Sequence, residues 1–358
     1  SMKLNMDESL PDGASFNFHQ ENKLSAPSYI QQLLDIQGIK GVFQVTNFIA
    51  IDRNPKVDWK EILSLVRQVF EQGDIEGSIS QSEDAFGEVS VFLQSFRGIP
   101  LQIKLVVGMD EVRVGLPKQF QEAVLKAQSA SENVVMERNW IEKGVRYGDV
   151  EEVSDQLIQE LTAAYEHERL DRLVARALSG SAESGKEEQL SLDTMERHMA
   201  DSNWQVRYAA LERMKLTEQE LPLLEKALQD EKMSIRRLAT AYLPEIGGPK
   251  AVTILCAALK DRSAIVRRTA GDALSDIGDP QAMGAMAQAL KDSSKLVRWR
   301  AARFLYELGD ESALSALREA QNDPEFEVSL QVRMALERIE TGEEAKGTVW
   351  QQMTNRDK

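Results

Sequence analysis

The chain has 358 residues and a single cysteine, Cys256. One thiol excludes an internal disulfide and any cysteine-based metal site, and the cytoplasm is the expected compartment. Histidine is nearly as scarce. His19, His167 and His198 include no pair four residues apart, so no two-histidine zinc helix can be written, and His167-Glu168 reads as a solvated helix surface. Apolar runs are too short to span a bilayer. No basic-then-apolar stretch opens the sequence, so export is not expected, and Ser1 ahead of Met2 reads as the remnant of a removed tag. Glycine-rich phosphate loops and the G-x-S-x-G elbow are absent. Positive charge is also in deficit: the net charge is −15. Residues 191–340 hold 24 acidic and 21 basic side chains and residues 341–358 balance, so the excess lies in residues 1–190. Such a balance argues against non-specific nucleic-acid binding and against an anionic membrane surface. No catalytic constellation, metal-ligand set or cofactor motif stands out.

What the sequence does contain is a repeat. Val206, Ile235, Val266, Val297 and Val328 are spaced by 29, 31, 31 and 31 residues. Five positions before the first four stand Asp201, Asp230, Asp261 and Asp292, with Asp323 before the fifth. One position after stand Arg207, Arg236, Arg267 and Arg298, and Ser329 breaks the series. Four and eight positions on are Ala210, Ala239, Ala270, Ala301 and Val332, then Met214, Leu243, Leu274, Leu305 and Leu336. These offsets fall on one face of a helix. A shorter helix precedes each, as in "GDPQAMGAMAQALKD", where Asp279 caps, Pro280 opens, and Ala282, Met283, Met286 and Leu290 point inward. A two-helix unit of this size buries its apolar face only by stacking on copies of itself. The Asp and Arg columns are expected to be a structural ladder between units, because partly buried arginines are usually paired.

The second position after each anchor points away from the core of its own helix: Tyr208, Arg237, Arg268, Trp299 and Leu330. Trp299, Arg303 and Tyr306 share that outward face at i, i+4 and i+7, and Met334 takes the matching row of the next unit. Trp, Tyr and Arg are enriched at binding hot spots. The column is therefore expected to line an open concave surface that holds a protein partner. The alternatives are docking of the C-terminal tail, through Val349 and Trp350, or incidental exposure.

Upstream, "APSYIQQLLDIQGIKGVFQVTNFIAID" reads as a helix opened by Ala26-Pro27 and ended by Gly38, then two strands around Thr46-Asn47. "SFNFHQ" reads as a further strand. A second helix capped by Asp58 turns Ile62, Leu65, Val66 and Val69 inward, and Phe43, Phe48, Ile51 and Trp59 belong to the core. Residues 73–84 and 179–189 read as linkers. Between them, "EVSVFLQSFRGIPLQIKLVVG" reads as a hairpin about Arg97-Gly98, "EVRVGLP" as a strand, Phe120–Ala127 as a helix, and residues 150–178 as two helices that cap the repeats.

The repeat, D-x4-[VI]-R-x2-A-x3-L, resembles the short bacterial HEAT repeat over about residues 191–340. The positions Ala26, Pro27, Leu33, Ile36, Gly38, Ile39, Val42, Phe43, Phe48, Ile49, Ile51 and Trp59 resemble the N-terminal domain of Nfu-type iron–sulfur scaffold proteins. The C-x-x-C of those proteins has no counterpart here, so cluster chemistry does not transfer, and Cys256 reads as a small core residue. The whole arrangement resembles the Gram-positive family called conserved virulence factor C. The expected organisation is an α+β half, made of an Nfu-like domain (1–73) and a second small α+β domain (85–180), then an all-α HEAT superhelix (191–341) and a tail (342–358). The repeat, the missing catalytic motifs and the acidic charge together lead to the expectation of a non-catalytic cytoplasmic adaptor, a monomer, that binds protein and neither nucleic acid nor membrane. A link to iron–sulfur protein maturation and to virulence-related regulation is implied by the resemblance. The alternative is a metal-dependent enzyme or metal carrier with an acidic cleft in the N-terminal half.

Overall fold

A computed structural model describes residues 2–5, 15–45, 48–54, 57, 62, 65–66, 69, 79–81, 86–108, 110–131, 133–135, 137–179 and 190–342. The chain divides into two compact parts, Ser1–Phe86 with Gly108–Asp110, and Gly87–Val107 with Glu111–Lys358.

The first part is built on a five-stranded sheet in the order β2-β3-β4-β1-β5. Its strands are β1 (Met2–Asn5), β2 (Ser15–His19), β3 (Ile39–Val45), β4 (Phe48–Arg53) and β5 (Ile79–Gln81). β3 and β4 pair antiparallel, with Val42 opposite Ile51. Helix α1 (Ser28–Asp35) follows Pro27 and buries Ile30, Leu33 and Leu34. Together with Val42, Ile49 and Ile51 these side chains form the core, where Ile62 and Val66 are also buried. Phe43 is only half-buried and Leu65 is exposed, contrary to the inward placement expected of both. Asp58, Trp59, the Thr46-Asn47 turn and the side chain of Phe48 lie outside the described residues. The stretch 73–84 is not linker throughout: β5 adds to the sheet edge by pairing with β1.

The second part opens on a four-stranded sheet in the order β8-β7-β6-β9. β6 (Glu88–Phe96) and β7 (Ile99–Val107) are the expected hairpin. Both turn residues are left-handed, Arg97 at φ 48° and Gly98 at φ 83°, the geometry that a two-residue turn imposes on twisted strands. β8 (Asp110–Gly115) and α2 (Lys118–Ala127) follow. β9 (Arg138–Tyr147) was not anticipated; it pairs along the whole outer edge of β6. Helices α3 (Val150–Ala164) and α4 (His167–Ser179) pack Val153, Leu157, Leu170 and Leu173 into the same core as Val91, Leu93, Ile103 and Phe120.

The repeat array then runs through five helix pairs. The first helices are α5 (Leu192–His198), α7 (Leu221–Ala227), α9 (Gly248–Ala258), α11 (Met283–Ala289) and α13 (Leu314–Ala320). The second helices are α6 (Trp204–Glu212), α8 (Met233–Ile246), α10 (Ala264–Ile277), α12 (Lys295–Leu308) and α14 (Phe326–Thr341). Each second helix packs on the next, and α3 packs on α6 at the start of the row. The small column explains the close approach: Ala210, Ala239, Ala270, Ala301 and Val332 are all buried. Asp279 accepts from the Gln281 N–H at 2.8 Å and so caps the turn into α11, where Met286 is fully buried.

Candidate functional site

The Asp and Arg columns sit between successive units. Arg207 donates through Nε and Nη2 to the two oxygens of Asp230, at 2.7 and 3.0 Å. Arg236 does the same to Asp261 at 2.8 and 3.1 Å, Arg267 to Asp292 at 2.6 and 2.7 Å, and Arg298 to Asp323 at 2.6 and 3.0 Å. The remaining nitrogen, Nη1, reaches back to a carbonyl of the arginine's own unit, Asp201, Asp230, Asp261 or Asp292, at 2.7–2.9 Å. Each aspartate also accepts from the backbone N–H two residues on, Asp201 from Asn203 and Asp230 from Lys232. One residue type thus fixes its own turn and grips the arginine of the preceding unit. The fork of guanidinium nitrogens matches a carboxylate in this bidentate way, as a lysine could not. The carboxylate hydrogen bonds raise the pKa of Arg207, Arg267 and Arg298 above an already high value.

The outward column is not open. Tyr208, Arg237, Arg268, Trp299, Arg303 and Tyr306 are all buried, with Arg268 and Arg303 at 0% exposure and Trp299 at 1%. Met334 and Leu330 are half-buried. The expectation of an exposed concave row is therefore corrected. Over the first three units the cover is the middle domain itself. Arg268 donates to Glu88 of β6 at 3.0 Å and to Asp272 of its own helix at 3.0 Å. Its guanidinium lies 4.4 Å from the Tyr147 ring of β9 and 5.3 Å from the Trp299 ring. The Tyr147 hydroxyl donates to Asp272, which also pairs with Arg300 at 2.9 Å. Burial first, and then the Asp272 charge, push the Tyr147 hydroxyl well above the usual phenol range, so it stays a donor. At Gly87, φ is +72° and an added Cβ would lie 2.3 Å from Leu296 Cδ2, so the entry to β6 lies tight on α12. Arg303 pairs with Glu307 at 2.8 Å and lies over the Tyr306 ring. The tail, with Val349 and Trp350, lies outside the described residues.

A second buried cluster joins α3 to the array. Glu160 of α3 meets Arg146 of β9 at 3.4 Å and Arg237 of α8 at 3.6 Å. Burial alone would push the Glu160 carboxyl up. The Arg237 and Arg146 charges, with hydroxyls of Tyr208 and Ser234 bonded to it, instead hold it below the usual carboxylate range. Burial, and next the Arg237 charge, lower the pKa of Arg146.

Beside this cluster the sheet stops short of the helices and leaves a cleft of about 520 Å³. Its walls are Leu93 and Ile103 of the sheet, Leu157 and Leu161 of α3, and Leu238, Ala241 and Pro244 of α8, with Tyr208, Arg237 and Tyr242. The volume and the mix of apolar wall with a few polar groups are those of a ligand site. Of the residues singled out in the sequence, Tyr208 and Arg237 face this cleft. Tyr147, Arg146, Glu160 and Tyr242 were missed. One signal was available: Glu160 lies on the same helical stripe as Val153, Leu157 and Ala164, where a charge is out of place unless paired. His167 and His198, far apart in sequence, border a separate recess with Glu166, whose carboxylate accepts from Arg213 at 2.9 Å. Cys256 is half-buried, and burial followed by the Asp279 charge raises its thiol pKa. Among the described residues no group of three or more His, Cys, Asp and Glu side chains is placed to hold a metal ion. No described helix is long and apolar enough to cross a membrane.

Comparison with known proteins matches this architecture segment by segment. The model for the N-terminal domain of scaffold protein Nfu/NifU matches residues 1–74, that for a virulence factor matches residues 94–174, and that for HEAT repeats matches 192–275 and 254–337. An uncharacterised protein, YpgR, of Bacillus subtilis (strain 168) is 55% identical, over 99% of this chain and 95% of its own. Conserved virulence factor C of Staphylococcus aureus (strain MRSA252) is 48% identical, over 99% of this chain and 96% of its own. Among solved structures, computationally designed armadillo repeat proteins for modular peptide recognition are 17% identical over 60% of this chain and 98% of theirs, with a TM-score of 0.33. Human deoxyhypusine hydroxylase in complex with glycerol is 20% identical over 52% of this chain and 75% of its own, with a TM-score of 0.32.

Proposed function

The chain belongs to the conserved virulence factor C family, and from that premise we propose that it is a non-catalytic cytoplasmic adaptor. Its HEAT array and middle domain together hold one segment of a partner protein, and its Nfu-like domain engages a second partner in iron–sulfur protein maturation. The observation that carries the reading is the cleft of about 520 Å³ beside Tyr208, Arg237 and Tyr242. The docked sheet buries residues of the inner row that a repeat protein would offer to a partner, and the cleft opens beside it. Aromatic and arginine side chains in an apolar recess are the groups that anchor partners. The acidic net charge fits the same reading, because it disfavours nucleic acid and anionic lipid.

The test uses Ala241→Trp, which fills the cleft without changing charge. Affinity capture from the native host, followed by reconstitution with the identified partner, is expected to succeed with the unaltered chain. With the filled cleft it is expected to fail at an unchanged melting temperature. Equal binding by both would remove the cleft from the account. Stoichiometric bound metal in the purified protein would favour the enzyme or metal-carrier reading instead.

A further inference from the structure

We infer that the cleft recognises a chain end: the C-terminal carboxylate of a partner protein, preceded by apolar residues. The inference rests on the adaptor reading and specifies what the adaptor holds.

The argument begins with a charge imbalance. Two guanidinium groups, Arg146 and Arg237, face one carboxylate, Glu160, and Arg237 and Glu160 are more than nine-tenths buried. Arg146 is anchored, donating to the Val145 carbonyl at 3.1 Å and to Glu160 at 3.4 Å. Arg237 is not satisfied in the same way. Its Nη2 stands 3.6 Å from Glu160, and neither its Nε nor its Nη2 makes a hydrogen bond. A buried, charged donor left in this state is costly, and arginine nitrogens are rarely left so. The other acidic side chains near it do not correct the imbalance. Glu212 holds Arg169 at 3.0 Å, and Asp272 holds Arg268 and Arg300 at 3.0 and 2.9 Å. The surplus positive charge therefore sits at Arg237, on the wall of the cleft.

The rest of the lining narrows the ligand. An anion at Arg237 would be surrounded by Leu161, Leu238, Ala241 and Pro244, which suit an apolar body. Glu245 and Asp276 stand exposed at the rim and disfavour a second negative charge. An acidic internal loop would have to bring two lengths of chain into the cleft and bury their backbone groups against an apolar wall, which leaves them unpaired. A chain end enters once and carries its own single charge. Capture of a terminal carboxylate is an established mode of peptide recognition.

The test is a set of fluorescent hexapeptides with apolar residues in the last three positions. Each is made as the free acid and as the C-terminal amide, and titrated against the full-length protein. The best binders are expected to be acids, with the matched amides about tenfold or more weaker, the value of one hydrogen bond to a charged group. Arg237→Gln is expected to reduce acid binding to the amide level and leave amide binding alone, with circular dichroism and melting recorded to show that the variant is folded. Ala241→Trp, which alters no charge, is expected to weaken both forms. Acids no tighter than amides, or an acid preference that survives Arg237→Gln, would overturn the inference. Octanoate binding where no peptide binds would assign the cleft to a free carboxylate and overturn the protein source. If the acid preference is absent while Ala241→Trp still blocks the host partner, the chain-end assignment fails and the adaptor reading stands.

Discussion

Replacing Arg268 by alanine should be among the most damaging single changes in the array, although its helix position alone marks it as outward. The side chain is fully buried, donates to Asp272 and Glu88, and lies between the rings of Tyr147 and Trp299. Truncating one partner of a buried ion pair costs about 3–5 kcal/mol, because the remaining charge is left uncompensated. Here Asp272 keeps Arg300 and the Tyr147 hydroxyl, which lowers the cost. Loss of the guanidinium from two ring faces raises it again, by about 1 kcal/mol for each. A net loss of about 3–4 kcal/mol corresponds to a fall of roughly 6–16 °C in the melting temperature of a unit of this size. The neighbouring Arg267→Ala removes one bidentate pair of the ladder, where the arginine side chain is 12% exposed, and should cost about 1–3 kcal/mol. The decisive assay is a double-mutant cycle between Arg268→Ala and Tyr147→Phe, read by chemical denaturation. Contact across the docked faces predicts a coupling of about 0.5–3 kcal/mol. Additive effects, with a cost below about 0.5 kcal/mol for Arg268→Ala, would mean that the sheet does not seal this row.

Three further outcomes follow from the same geometry. Asp261→Ala should free Arg236 from its bidentate partner and remove the acceptor that caps the turn, raising hydrogen exchange at the start of α10 and costing about 1–3 kcal/mol. Glu160 has a folded pKa below the ordinary value of about 4.3. Its stabilisation is therefore present above that pH and lost as pH falls through the folded value, and Glu160→Gln should flatten the acid limb of the stability curve while lowering the plateau. Gly87→Ala forces a side chain into a left-handed backbone and against Leu296. It should cost about 1–2 kcal/mol for the backbone alone and more for the clash, and Leu296→Ala should relieve only the clash, which thermal melts of the single and double variants can separate.

The repeats were legible because their physics is local and periodic. The positions of Ile235, Ala239 and Leu243 recur in each unit, and Asp261 and Arg236 meet because stacking fixes their offset. The β6–β7 hairpin was legible for the same reason, since Arg97-Gly98 is a turn that the chain carries with it. The state of the outward column was not. Periodicity shows which side of a helix faces its own pair and nothing of what arrives on the other side. The contact that buries Arg268 comes from Glu88, 180 residues away. β9 was hidden because only Tyr147 is buried and four consecutive residues, Ile141 to Gly144, are exposed, so the strand lacks alternation. A clue lay in composition: a face of Trp299, Arg303 and Tyr306 without lysine is unlike an ordinary solvated helix face. Such a face is compatible with an intermolecular partner or an intramolecular one, and here the neighbours of Arg268 come from the chain itself.

The sealing of the inner row, on which the proposal of a partner site in the cleft depends, is tested most directly through Trp299. In a chain whose Trp59, Trp140, Trp204 and Trp350 are replaced by phenylalanine, Trp299 is the sole indole, and it is 1% exposed. Acrylamide quenching of that one residue should be weak in the folded protein, with blue-shifted emission, and should rise to the solvent-exposed value only on unfolding. Strong quenching and red-shifted emission in the native protein would mean that the row is open, and the account of a docked sheet and a residual cleft would be wrong.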